Sequence, residues 1–359
     1  MSKNIVNIQG DVDCNKINII DNIKTIMMLA VVFYHSCCFF TGNWFDVVEP
    51  AYKSNIITHI AYWLNTFHVQ TFTMTSGFLF YALRKKYGKY NNFNQDFAKR
   101  IRRLLVPYFC TLLVWVIPFY IYYNGFNIDD IFYKYVLGNA PSQLWFLPML
   151  FILFVVFYGV LKERFVSLNG LIIVALISIV GGYVTSKLGF NYFQISAAIR
   201  YAGYYYLGAY LYEKNLKKCR WYYVVMLGFS SILTYIATII IEQYFTKYIL
   251  FKMFGILLNY ICSYFGILFV YFLIIKMTEK SSGLFSKISR TQLWKLLIEN
   301  SFGIYLFHQQ IIYLTIILLN GRVIPIVQVF LSFSIAIVVT SFMVIILRKF
   351  KITRLLFSL

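Results

Sequence analysis

The chain has 359 residues, 60% of them hydrophobic and only 13% charged, with a mean hydropathy of +0.69. Soluble globular domains carry about 25% charged residues, so this composition excludes that class and points to a polytopic membrane protein. The net charge of +20 would suggest a nucleic-acid partner in a soluble chain, but membrane proteins gather Lys and Arg on one side, so their distribution decides.

A spanning helix needs about 20 apolar residues. Taken in chain order, such runs fall at about 23–41, 58–83, 104–123, 144–161, 168–187, 195–212, 221–241, 252–275, 296–319 and 323–347. The expected fold is therefore all-α, with about ten transmembrane helices in one membrane domain over 1–359. Residues 1–22 form a short polar leader. No small-residue cleavage site follows the first apolar run, so that run is expected to stay as a helix. No internal repeat, low-complexity linker or appended extracytoplasmic domain is visible.

With the N-terminus in the cytoplasm, the cytoplasmic segments hold 26 of the 33 Lys and Arg. The opposite connections hold six, and Arg200 lies inside a span. This is the positive-inside pattern, and an even number of spans returns the C-terminus to the cytoplasm. It explains most of the net charge without nucleic acid. None of the 13 Asp and Glu falls deep in an expected span, so the carboxylate relay usual in proton-coupled transporters is missing. The six cysteines form no CxxC or Cys/His metal spacing, and no metal site is expected.

The first span reads IKTIMMLAVVFYH. Lys24 and His35 are eleven residues apart, which is three helical revolutions plus about 20°, so they share a face. The rise is about 16 Å, placing Lys24 at the cytoplasmic rim and His35 near mid-membrane. A lone histidine there is readily explained by a hydrogen bond to a neighbouring helix. The second span ends FTMTSGFLFYALRKK, in which Ser76-Gly77 permits close helix approach and Arg84 follows at the rim. The segment FAKRIRR then places Lys99, Arg100, Arg102 and Arg103 before the third span, a density suited to phosphate or anionic lipid. Arg200 in the sixth span should face the bundle interior or a wet cavity. In the ninth, Ser301, Tyr305 and His308 fall at i, i+4 and i+7 on one stripe, with His308 at a depth like that of His35. Such a stripe also serves simply to hold helices together.

These segments together resemble the integral-membrane acyltransferase family 3, which acylates surface glycans. The resemblance runs in order through IDNIKTIMMLAVVFYH, TSGFLFYALR, RIRR, QLWFLPMLF with Trp145, RYAGYYYLGAYL with Arg200, and SFGIYLFHQQII. The family most often has Arg where this chain has Lys24, which keeps the charge without the forked donor geometry. The resemblance implies an O-acyltransferase that moves an acyl group, usually acetyl, from cytosolic acyl-CoA to a hydroxyl of an extracytoplasmic or lipid-linked glycan. It implies no tightly bound cofactor and a location in the plasma membrane of a bacterium. His35 is the first expectation for the catalytic residue, as base or nucleophile, and His308 the second. Tyr305 and Ser76 are expected to assist. Lys24, Arg84, Arg100, Arg103, Arg200 and Trp145 are expected around acyl-CoA. A second reading is a transporter or flippase for a glycan or its lipid-linked precursor.

Overall fold

The computed structural model describes residues 11–42, 44–45, 47–161, 166–189, 191–215, 219–245, 247–279 and 283–359, with side chains from residue 18 onward. The first ten residues of the expected leader, and positions 162–165 of an expected basic connection, lie outside the described residues. Among the described residues every regular element is helical. Among the described residues eight helices are long and apolar enough to cross a membrane. The protein is an all-α multi-pass membrane protein.

Helix α1 runs Asp11–Cys38 and so begins inside the expected leader. The expected second span is two helices, α2 (Asn55–Asn65) and α3 (His68–Tyr87), separated at Thr66-Phe67. A broken helix at membrane depth must satisfy the carbonyls it frees. Three side chains do so in succession. Thr66 Oγ1 donates to Trp63 O at 2.7 Å, His68 Nδ1 to Leu64 O at 2.7 Å, and Gln70 Nε2 to Asn65 O at 3.1 Å.

The expected third span is the middle of a longer helix, α4 (Phe93–Asn124). The basic run at 99–103 is therefore helical rather than lying ahead of the helix. Two π-helical stretches, Ile101–Leu105 and Leu112–Val116, interrupt it. Each is followed by a proline, Pro107 and Pro118, near the start of the next α-helical stretch. Proline lacks an N–H and crowds the preceding turn, and a wider turn relieves both problems.

The remaining long helices are α5 (Phe146–Val160), α6 (Leu168–Lys187), α7 (Ile195–Lys214), α8 (Trp221–Tyr244), α9 (Ile249–Glu279), α10 (Gln292–Leu319) and α11 (Pro325–Leu347). α6 and α8 bury few residues and expose Ile172, Leu176, Val225 and Phe229 on the outside, as lipid-facing helices do. α3 and α7 are 20 residues long but are not among the eight apolar spans. They bury most of their length against the rest of the bundle.

The α3–α7 crossing brings backbone onto backbone. A Cβ on Gly77 would stand 1.9 Å from Tyr205 O, and one on Gly208 would stand 2.0 Å from Met74 O. Small residues permit this approach, and in lipid it is packing rather than water exclusion that holds helices together. α1 and α10 lie side by side and run the same way. Trp294 Nε1, in the first turn of α10, donates to Asn22 Oδ1 at 2.9 Å, and His35 meets His308 thirteen or fourteen residues further along.

Candidate functional site

A single cavity of about 990 Å³ lies among α1, α3, α4, α5, α7 and α10. Lys24, Arg100 and Arg103 line one end. Beyond α1 and along α10, Trp44, Gln309 and Tyr313 line the other. α4 connects the ends, since Arg103 and Tyr120 both line the cavity and stand about 25 Å apart along one helix. His35 lines the cavity between them.

The partners of the two imidazoles fix their tautomers. His308 Nδ1 lies 3.0 Å from Ile304 O and 2.9 Å from Tyr305 O. Carbonyl oxygens only accept, so His308 Nδ1 carries the proton and its Nε2 is bare. That Nε2 lies 2.7 Å from His35 Nδ1, so His35 donates from Nδ1. His35 Nε2 is then the ring nitrogen that carries the lone pair, and no partner for it is found among the described residues. The two ring planes lie within 18° of parallel with centroids 5.0 Å apart, an arrangement compatible with the Nδ1–H···Nε2 bond. Trp44 lies nearly parallel to the other side of the His35 ring, at 17° and 5.4 Å. A helix backbone thus orients His308, and His308 orients His35, without a carboxylate.

His308 itself is fully buried and is not part of the cavity wall. Tyr305 lines the wall, and its hydroxyl donates to Gln143 O at 2.5 Å. Gln143 also donates from Nε2 to Leu306 O at 2.9 Å and to Gln310 Oε1 at 3.1 Å. These bonds dock the Ser142–Trp145 turn onto α10 and hold Trp145 at the wall. Ser76 lines the cavity while its hydroxyl donates to Phe72 O at 3.0 Å. Ser301 also lines the wall, so the 301/305/308 stripe is divided, with two residues facing the cavity and the third packed behind.

The cations expected around a donor are separated by the fold. Lys24, Arg100 and Arg103 meet at one end of the cavity. Lys24 has Asp21 at 3.9 Å. Arg100 Nη2 donates to Tyr90 OH at 2.8 Å, and its guanidinium lies 4.5 Å from the centre of the Phe154 ring. Arg84 is not at this wall. Its Nη1 donates to Tyr158 O at 2.7 Å and Leu161 O at 3.3 Å, closing the C-terminal end of α5. Cationic donors suit that end of a helix. Arg200 lines a separate cavity of about 470 Å³ with Glu242 and Asn259. Asn65 lines both cavities.

Spacing within single helices did not reveal His68, Gln143 or Trp44. His68 lines the cavity, with its Nδ1 spent on Leu64 O and its ring 4.6 Å from that of Tyr34. The available signal was its position: all four histidines fall in the expected spans, and the fold brings three of them, His35, His68 and His308, together. At the far end Lys134 is paired with Asp130 at 3.2 Å, and Tyr120 donates to the same carboxylate at 2.8 Å. The Tyr120 hydrogen bond, then that from Lys134, hold the Asp130 carboxyl below its ordinary range.

Among the described residues no cluster of three or more His, Cys, Asp or Glu could hold a metal ion. The sequence matches the family model described as an acyltransferase domain over residues 17–347. No curated protein and no solved structure gave a match.

Proposed function

The chain belongs to acyltransferase family 3 and is a membrane acyltransferase; from that premise we propose that it moves an acyl group, acetyl in the commonest case, from acyl-CoA to a hydroxyl of a glycan. The observation that carries this reading is the Nε2 lone pair of His35, held between a cationic end and an aromatic, amide-lined end of one cavity. Lys24, Arg100 and Arg103 suit the phosphates of coenzyme A, because guanidinium and ammonium groups pair with phosphate oxygens. The thioester then points along the cavity toward His35. The acceptor enters from the opposite end.

His35 Nε2 takes the proton from the acceptor hydroxyl as its oxygen attacks the thioester carbonyl. The C–S bond breaks as the ester C–O bond is completed. The departing thiolate recovers the proton from His35 Nε2–H. His308 keeps the ring in the tautomer that begins this cycle. One cavity of about 990 Å³ has room for donor and acceptor together, which favours direct transfer with His35 as base over a covalent acyl-imidazole.

The positive-inside pattern supports a cytoplasmic cationic end and an outer acceptor end, and the family resemblance supports the plasma membrane of a bacterium as the location. Incubation of purified protein with radiolabelled acetyl-CoA and a glycan acceptor tests the reading. Label should pass to the carbohydrate, and His35→Ala should abolish transfer while the protein remains folded. Full transfer by His35→Ala would sink the assignment. A flippase would show no stabilisation by coenzyme A.

A further inference from the structure

The second cavity, of about 470 Å³, lies among α2, α7, α8 and α9. α8 brings Tyr235, Thr238 and Glu242 to it at i, i+3 and i+7, a polar stripe on a helix that otherwise exposes Val225, Phe229 and Ile240. α7 contributes Arg200 and α9 contributes Asn259. Polar side chains that merely glue helices together in lipid bond to one another. These do not. Among the described residues the Arg200 guanidinium, the Glu242 carboxylate and the Asn259 carboxamide have no hydrogen bond or ion pair, and all three residues are exposed. Space for the arginine is built in, since its stem crosses α6 at Gly182, where a Cβ would stand 3.1 Å from Arg200 Cγ.

The cavity lies toward the membrane face opposite the basic one. Lys85 and Glu213, 2.7 Å apart, tie the C-terminal ends of α3 and α7 together at the basic face. Arg200 comes thirteen residues earlier in α7, about 20 Å toward the other face. An ionisable side chain at such a place in a bundle marks a ligand or a pathway.

The charges decide the ligand class. An anion would meet Glu242 as a like charge, a cation would meet Arg200 as one, and a neutral molecule would answer neither. Opposite charges that line one cavity without pairing are complementary to a zwitterion. A guanidinium holds phosphate oxygens with a forked bond. A carboxylate suits an ammonium, and so do the rings of Tyr62, Tyr235 and Tyr260 at the same wall. Phosphoethanolamine carries both groups on a two-carbon link. Ile236 and Ile240 of α8 and Leu257 of α9 expose apolar surface on the helices that form the cavity, where acyl chains can lie.

We infer that this cavity seats the phosphoethanolamine headgroup of a membrane lipid, with the phosphate on Arg200 and the ammonium on Glu242. The site is separate from the acyl-transfer cavity, and its assignment does not rest on that reading.

Lipid titration tests it. Phosphatidylethanolamine and phosphatidylglycerol are added separately to purified, delipidated protein and followed by native mass spectrometry. One copy of the first should bind at least about fivefold more tightly than the second. Arg200→Gln should weaken it about tenfold, while Arg200→Lys, which keeps the charge, should retain most of the affinity and guards against a misfolded variant. Glu242→Gln should reverse the preference, because a lone guanidinium favours the anionic lipid. Arg322→Gln, which removes a cation outside this cavity, should change neither affinity. Phosphatidylglycerol bound as tightly by the unmodified protein, phosphatidylethanolamine binding indifferent to Arg200→Gln, or a preference unmoved by Glu242→Gln would each overturn the assignment. Glycerophosphoethanolamine, the same headgroup without acyl chains, should compete at least about a hundredfold more weakly than the lipid. Equal competition would make the ligand a soluble zwitterion and overturn the lipid source.

Discussion

Replacing His308 tests the imidazole pair directly. In His308→Ala the His35 Nδ1–H loses its buried acceptor, and the ring is free to turn or to shift its proton to Nε2. A buried donor left unsatisfied costs about 1–3 kcal/mol. If that cost appears as lost transition-state stabilisation, turnover falls by about 5- to 150-fold. His308→Gln should fall less, because its Oε1 reaches about as far as the imidazole Nε2 and can accept the same proton. The assay is steady-state transfer of radiolabelled acetyl groups, with the donor KM and the melting temperature measured alongside. A positioning role predicts a drop in kcat, a donor KM within about twofold, and the order wild type, Gln, Ala. Wild-type kcat in a folded His308→Ala protein would refute the argument, and so would a loss confined to donor KM.

The remaining cations separate by place. Arg103→Ala and Arg100→Ala should each raise the acyl-CoA KM about three- to tenfold with kcat little changed; the exposure of Arg103 keeps the effect modest. Lys24→Arg, which adds a forked donor, should lower that KM, and a rise in KM would place the phosphates elsewhere. Arg84→Ala should behave in the opposite sense, lowering the melting temperature by freeing the Tyr158 and Leu161 carbonyls while leaving the acyl-CoA KM within about twofold. A large KM effect there would return Arg84 to the donor site. Gly77→Ala and Gly208→Ala should each destabilise by at least about 1–3 kcal/mol, since the new methyl meets backbone that cannot move aside. Unchanged melting temperatures would contradict the close crossing.

Apolar length and the one-sided cations made the helices legible, because a bilayer permits few alternatives to a helix of about 20 apolar residues. The break between α2 and α3 was not legible, because Thr66, His68 and Gln70 read individually as ordinary polar residues. Their common task appears only when three carbonyls in a row need donors. The face shared by Lys24 and His35 could be read from an eleven-residue spacing, and both line the cavity. The hydrogen bond between His35 and His308 spans 273 positions, and no periodicity within one helix encodes it. Arg84 and Arg103 look alike in sequence, each just outside an apolar run. What separates them is whether an uncapped helix end or open space lies opposite.

Polarity in α3 and α7 bears on how the protein is made. His68, Gln70, Thr71, Thr73 and Thr75 lie within eight residues of one helix, and Arg200 sits in the other. Neither helix is apolar enough to qualify as an independent span, yet the two cross with Gly77 and Gly208 each against the other's backbone. α3 is synthesised more than a hundred residues before α7. During that interval it must be sheltered by the inserted neighbour α1, or by the insertion machinery, until its partner emerges. Biogenesis therefore has a built-in waiting step, and the last helices to arrive complete the interior of the first.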